Sequence, residues 1–425
     1  MYAALRLQRR LRRGEADVVV IDPRSYMTYQ PFLPEAAAGN LEPRHVVVPL
    51  RRVLDRTHVL NAEVTAVDPH AKVVSVRPAG GVVEAMRYDV LVLAAGSVAR
   101  TLPIPGLAEV GIGFKHVEEA IALRNTVLDQ LDQAAATTDA ARRRCALTFV
   151  FVGGGYAGVE ALAELEDMAR YATRFYPDLE PGDLRFVLVE AAGRILPEVG
   201  EDLGRYTVAE LRRRGIEVRL GTRLESCVDG HVRLSDGDEF DSDVIVWTAG
   251  VKANPVVARS GLPLDAKGRI ACRADLRVEG FDDVWSAGDA AAVPDLTSPE
   301  PGATCGPSAQ HAVRQGKLLG DNIAAVLHGG VPAVYRHSYA GSVASLGLHK
   351  GVAQVYGVKV RGWPAWFMHR TYHVSRMPTL NRKARVVADW TLALFFRREV
   401  VALGSLRHPR RRFEEAAART PRVSS

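Results

Sequence analysis

One stretch constrains this chain more than any other. Thr148-Phe149-Val150-Phe151-Val152 is a β-branched and aromatic run that leads directly into Gly153-Gly154-Gly155-Tyr156-Ala157-Gly158, and the residues that follow, Val159-Glu160-Ala161-Leu162-Ala163-Glu164-Leu165, read as a helix. Strand, glycine turn and helix in that order are the opening of a dinucleotide-binding unit. Gly153 permits the tight bend, Gly155 leaves room for a pyrophosphate against the helix N-terminus, and Gly158 lets helix and strand pack closely. A purely structural glycine turn is the competing reading, and the full strand-turn-helix context weighs against it.

The pattern continues along the chain. Leu184-Arg185-Phe186-Val187-Leu188-Val189-Glu190 is a second strand ending in an acid. At that place a carboxylate accepts hydrogen bonds from ribose hydroxyls and repels the extra phosphate of NADPH, so NADH is the expected ligand. An insertion reaching Pro181-Gly182 stretches the usual spacing, and a surface charge after a core strand is the alternative for Glu190. Three further strands run into small-residue turns: Tyr88 to Leu93 into Ala94-Ala95-Gly96-Ser97, Asp243 to Trp247 into Thr248-Ala249-Gly250, and Asp283 to Ser286 into Ala287-Gly288-Asp289-Ala290. Small side chains at Ala95, Gly96, Ala249, Gly250 and Gly288 let a cofactor approach the backbone. Asp289 is placed to hold the ribityl or pyrophosphate side of a flavin, with helix N-capping as its bland alternative.

The N-terminal part repeats the theme incompletely. Met1 to Leu11 has a helical pattern, and Asp17-Val18-Val19-Val20-Ile21-Asp22 is a short strand closed by an acid, the form in which the second strand of a dinucleotide unit ends. An acid ending a strand by chance is the competing reading for Asp22. A strand and a Gly-x-Gly-x-x-Gly turn are expected ahead of the helix, and Met1 is read as an internal methionine. The fold class expected is α/β, with two Rossmann-like domains, the first split by the second. The boundaries are 1–113 and 256–330 for the split domain, 114–255 for the inserted one and 331–425 for a C-terminal region.

Composition narrows the chemistry. With 425 residues, 47% of them apolar, the chain can bury more than one core. Its four cysteines, Cys145, Cys227, Cys272 and Cys305, form no CxxC pair, no metal-ligand spacing and no haem motif, which points to a reducing cytosol and away from a redox dithiol. No metal is expected. No stretch reaches the roughly twenty apolar residues of a membrane span. The formal charge is +6, with arginine concentrated between Arg361 and Arg412. There Gly362 to Met368 and Trp390 to Phe396 set aromatics and aliphatics between basic runs, a composition suited to an anionic membrane surface. Packing of these segments on the protein's own core or on a dimer partner is the alternative. Nucleic acid is not expected, since the aromatics offer no base-stacking platform.

The Gly153 turn, Trp247-Thr248-Ala249-Gly250, Ala287-Gly288-Asp289-Ala290 and Ala309-Gln310 together resemble the flavoproteins with two dinucleotide-binding domains, and among them the type II NADH:quinone oxidoreductases. The resemblance extends over almost the whole sequence. It implies FAD and NADH as cofactors, a membrane quinone as acceptor, a homodimer, a C-terminal region resting on the membrane, and a peripheral position on the cytoplasmic face. By the same resemblance Asp22 binds the FAD adenosine ribose, Ala95 and Gly96 lie near the flavin, Asp289 binds the ribityl-phosphate region, and Gly153, Gly155, Gly158 and Glu190 hold NADH. Glu160 matches an acid that couples NADH to the quinone side, and its alternative is a carboxylate stabilising a helix N-terminus. The family's quinone motif, Ala-Gln-x-Ala-x-Gln, reads Ala309-Gln310-His311-Ala312-Val313-Arg314-Gln315 here. Gln310 is retained, Arg314 stands at the second glutamine, and Gln315 is about 100° further round the helix. A reductase of a soluble acceptor, or an NADH-binding protein without flavin, are the other functions open to such a chain.

Overall fold

The structure, a computed structural model, describes residues 1–337, 341–396, 398–402 and Glu414. A first α/β unit opens with helix α1 (Tyr2–Arg10), strand β1 (Val19–Asp22), the short buried helix α2 (Leu33–Ala37) and the long strand β2 (His58–Asp68), and continues to β3 (Leu91–Leu93). A second unit follows with β4 (Gly111–Gly113), α3 (Val117–Ala136), β5 (Thr148–Val152), α4 (Tyr156–Ala172), β6 (Arg185–Glu190), β7 (Glu217–Leu220) and β8 (Val244–Trp247). The chain then returns to the first unit with β9 (Val284–Ser286) and helix α5 (Ala309–Leu327). A C-terminal region of three antiparallel strands, β10 (Gly341–Ser345), β11 (Gly351–Val355) and β12 (Val358–Arg361), carries helices α6 (Trp363–Arg376) and α7 (Leu380–Phe395).

The second unit is a parallel sheet in the order β7-β6-β5-β8-β4. Its central strand β5 is buried at every residue, as an all-parallel sheet with both faces covered requires. Phe149 stacks on Phe186 with ring centroids 4.7 Å apart. Deleting a buried ring of this kind costs about 3–5 kcal/mol.

The expected boundary near residue 113 moves. Gly111–Gly113 pairs with Ile245, Val246 and Trp247, so it is the edge strand of the second unit. The return boundary near 255 moves too, because Val251–Ala253 pairs antiparallel with Ser97–Ala99 of the first unit.

The first unit has two parallel pieces. β1 pairs with β2 from Val19 and His58 to Asp22 and Asn61, and β3 pairs with β9 from Leu91 and Val284 to Leu93 and Ser286. β1 and β3 belong to separate sheets. Helix α1 packs on α5, where Gly316 and Gly320 allow the approach; a Cβ at Gly320 would meet the Ala3 carbonyl at 2.7 Å. Arg6 and Arg10 fasten the same contact by converging on Asp321 at 2.6 and 2.7 Å.

Candidate functional site

The glycine turn of the second unit is fixed by space that only glycine fits. Gly153 has φ +115°, and a Cβ there would stand 2.7 Å from the Thr248 backbone. A Cβ on Gly158 would lie 2.0 Å from the Gly153 carbonyl, so the first turn of α4 sits directly on the end of β5. Gly155 instead faces open space, the side from which a phosphate would come. Thr248 secures the turn by donating its hydroxyl to the Val152 carbonyl at 2.9 Å. Glu190 is placed at the same turn, where its two carboxylate oxygens accept the N–H groups of Gly154 (2.5 Å) and Ala192 (2.7 Å).

The ribbon of Ser97–Ala99 and Val251–Ala253 brings the two small-residue turns of the different units side by side. Gly96 (φ +69°) and Gly250 (φ +96°) both adopt backbone that favours glycine, and neither would meet an atom on its Cβ side. Ala95 and Ala249 pack behind them against the cores of their own units. Asp289 joins this junction by accepting the Ser97 hydroxyl at 2.6 Å. Lys115, unremarked in the sequence, donates to the same hydroxyl at 2.5 Å and stands 4.0 Å from the Asp289 carboxylate. Burial holds its amine below the usual lysine range. Asp22 lies at the end of β1, beside the head of α1, where Met1 and Leu5 pack with Val18 and Val20. Burial pushes its carboxyl up against the pull of the Arg24 N–H.

Residues of the quinone motif separate onto two faces of α5. Gln310 donates to the Gly341 carbonyl at 3.1 Å and accepts from Arg314 at 3.0 Å, and Arg314 also contacts His337 at 2.7 Å. Gln315 is buried and turned the other way, accepting the Gly288 N–H at 2.8 Å, which steadies the turn that carries Asp289. Glu160 is buried one turn into α4, where its carboxylate accepts the Ser345 N–H at 2.8 Å and lies 3.1 Å from His369 of α6. Its contacts therefore run to the C-terminal region.

Residues 2–316 match the model of the pyridine nucleotide-disulphide oxidoreductases. The chain belongs to that family. Among relatives, a type II NADH:quinone oxidoreductase of Staphylococcus haemolyticus is 31% identical over 87% of this chain and 91% of its own, and one of Mycobacterium tuberculosis is 28% identical over 92% and 86%. This places the chain in the type II NADH:quinone oxidoreductases. The fold agrees: a structure of NDH2 from Plasmodium falciparum in complex with NADH superposes with TM-score 0.85 at 16% identity, covering 94% of this chain and 97% of that one.

A type II oxidoreductase of this family uses a flavin and NADH. The second unit presents a glycine turn at the head of α4. The first brings Gly96, Gly288 and Asp289 close behind its strands β3 and β9, with Asp22 at the end of β1. Among the described residues no group of His, Cys, Asp and Glu is arranged to hold a metal ion, and no helix is long and apolar enough to cross a membrane.

The aromatic segments of the C-terminal region divide. Trp363 and Phe367 stack at 5.5 Å and are about half exposed, and Leu394, Phe395 and Phe396 are exposed beyond them. Trp366 and Trp390 instead face inward, one on either side of the Arg370 guanidinium, which lies 4.2 and 4.7 Å from their ring centres. Of the basic tail, residues 403–413 fall outside the described residues.

Proposed function

We propose that this chain oxidises NADH and passes the electrons through FAD to a quinone at a membrane surface. The observation that carries this is the junction at Gly96, Gly250 and Asp289, where the strand ends of a complete NADH unit are held beside those of the flavin unit by a shared ribbon. Bound FAD would supply the two-electron redox chemistry that links NADH to the acceptor. The protein's own residues position the partners. The amides at the head of α4 face the NADH pyrophosphate, Glu190 takes the adenosine ribose, and Asp289, steadied through Ser97, meets the ribityl chain. Gln310 and Arg314 form the polar face nearest the quinone. Glu160, fixed by Ser345, lies on the way from the NADH unit to the C-terminal region.

The exposed pair Trp363 and Phe367 and the apolar end of α7 support seating on an anionic membrane surface, and the same two helices carry the basic residues Arg376, Arg382, Lys383 and Arg385. Such a protein is peripheral, on the cytoplasmic face, and a homodimer; it needs no nucleic acid. The deciding experiment is anaerobic addition of NADH to the purified flavin-loaded protein. The visible flavin absorption is expected to bleach, and a short-chain quinone is expected to restore it. Bleaching restored by a soluble iron-sulfur protein and not by quinone would replace the acceptor.

A further inference from the structure

Between α4, α2, β10 and the C-terminal helices lies a group of charged side chains that is closed to solvent. Glu35, Glu160 and Glu164 are all buried, and so are His369 and Arg370. Their partners can be followed one by one. Glu35 accepts Arg370 at 2.7 Å and the Trp390 indole N–H at 2.8 Å, which neutralises it. Glu160 faces His369 at 3.1 Å, with the ring N–H poorly aligned on the oxygen, so the contact is more ionic than a directed hydrogen bond. Glu164 has only neutral donors: the Ser345 hydroxyl at 2.9 Å on one oxygen and the Asn40 amide at 3.0 Å on the other. Arg398 reaches the backbone carbonyl of Glu164 at 3.4 Å. Asp167, on the next part of α4, is itself taken by Arg214 at 3.0 Å.

Three buried carboxyls therefore meet one guanidinium and one imidazole at bonding distance. A buried carboxylate without a cation is costly, and the ordinary resolution is a proton. We propose that Glu164 is a proton-holding residue that charges and discharges during turnover. Ser345 ties it to Glu160, giving its backbone N–H to one carboxylate and its hydroxyl to the other.

Physical chemistry agrees on the direction. Burial, then the Glu35 charge, raises the Glu164 carboxyl to about 7 against the pull of Arg398 and Arg370. Burial works against the charge on His369, yet Glu160, with Glu35 and Glu164 behind it, holds the imidazole above its usual range. His373, whose ring lies 4.5 Å away, is driven well below that range by burial and by His369. The junction thus favours charge on one ring and the neutral form on the other, beside one exchangeable acid.

The stoichiometry of the reaction gives that acid a task, and this step rests on the quinone reading above. NADH + H⁺ + quinone yields NAD⁺ + quinol: the hydride brings one proton with two electrons, and the second proton comes from water. Glu164 in its acid form releases that proton toward the C-terminal region, where the Ser345 hydroxyl faces it, and takes up another before the next turnover.

The test begins on the full-length protein without any substrate, by infrared spectroscopy across pH 5 to 9. The carbonyl stretch of a protonated carboxylic acid is expected to titrate near 7 and to vanish in Glu164→Gln. Ser345→Ala, which keeps both carboxyls and removes only the hydroxyl donated to the charged form, is expected to move the same titration to higher pH. In the flavin-loaded enzyme Glu164→Gln should lower quinone-linked kcat on the order of 10- to 100-fold with the KM for NADH unchanged. A band that is missing, or that persists in Glu164→Gln, overturns the proposal, and so does a kcat with an unaltered pH profile. Wild-type protein that shows the band but reduces no quinone would sink the quinone reading and Glu164's role in it, while leaving the protonation itself measured.

Discussion

The two nucleotide units of this chain share parallel strands closed by an acid, and their described strands pair differently. Glu190 ends β6, which lies between β5 and β7 in one five-stranded sheet, whereas Asp22 ends β1, which pairs in parallel with β2 alone. In the NADH unit β5 pairs on both sides, with β6 and with β8. In the flavin unit the two parallel pairs stand apart, and the exposure of Val19 on β1 contrasts with the complete burial of β5. In the NADH unit the central strand β5 carries the glycine turn, and helix α4 starts directly from it.

The largest expected effect lies at the glycine turn of the NADH unit. Gly158→Val forces side-chain atoms onto the Gly153 carbonyl. Overpacking of this kind costs up to about 3 kcal/mol, and the NADH dissociation constant measured by calorimetry should rise roughly 100-fold.

A smaller effect is expected at the paired acids. Glu190→Ala frees the Gly154 and Ala192 amides, each charged hydrogen bond being worth about 1.5–3 kcal/mol. NADH affinity should fall about tenfold while the preference over NADPH narrows. The smallest effect concerns α1. Burial alone would raise the Asp321 carboxyl, but Arg6 and Arg10 hold it below the usual range. Its contribution is therefore present above the ordinary carboxylate pKa and lost as pH falls through the folded value, below about 4. Asp321→Asn should remove that acid sensitivity in thermal unfolding curves, at a cost of no more than about 1 kcal/mol.

The parts of this architecture that were legible in the sequence are those written in neighbouring residues. Strand, turn and helix at 148–165 and the acids that close β1 and β6 are local patterns, since each depends on contacts a few residues away. The helical rotation that separates Gln315 from Arg314 was legible too, and the structure turns Gln315 to Gly288. Other features lie beyond such patterns. Glu35 and Arg370 meet across 335 residues and Asn40 and Glu164 across 124, so no spacing announces the buried charge junction. Lys115 stands at a domain crossing with nothing in its surroundings to mark it. Trp366 and Trp390 carry the same composition as Trp363, and only the guanidinium of Arg370 between them reveals that they face inward. The boundary near 113 erred because three residues, Gly111–Gly113, are too short a strand to leave a periodic signal.

The pairing of Leu91–Leu93 with Val284–Ser286 has a consequence for the order of folding. Almost two hundred residues separate the partners, with the whole NADH unit between them. During synthesis that inserted unit has all its strands by Trp247 and can close its sheet, while the flavin unit still waits for β9. Loop closure over so long a span is slow when the loop is unstructured, and a folded insert whose ends are clasped by the 97–99 and 251–253 ribbon shortens it to the stretches 94–96 and 254–283. The NADH unit thus serves as the jig on which the discontinuous flavin unit is assembled.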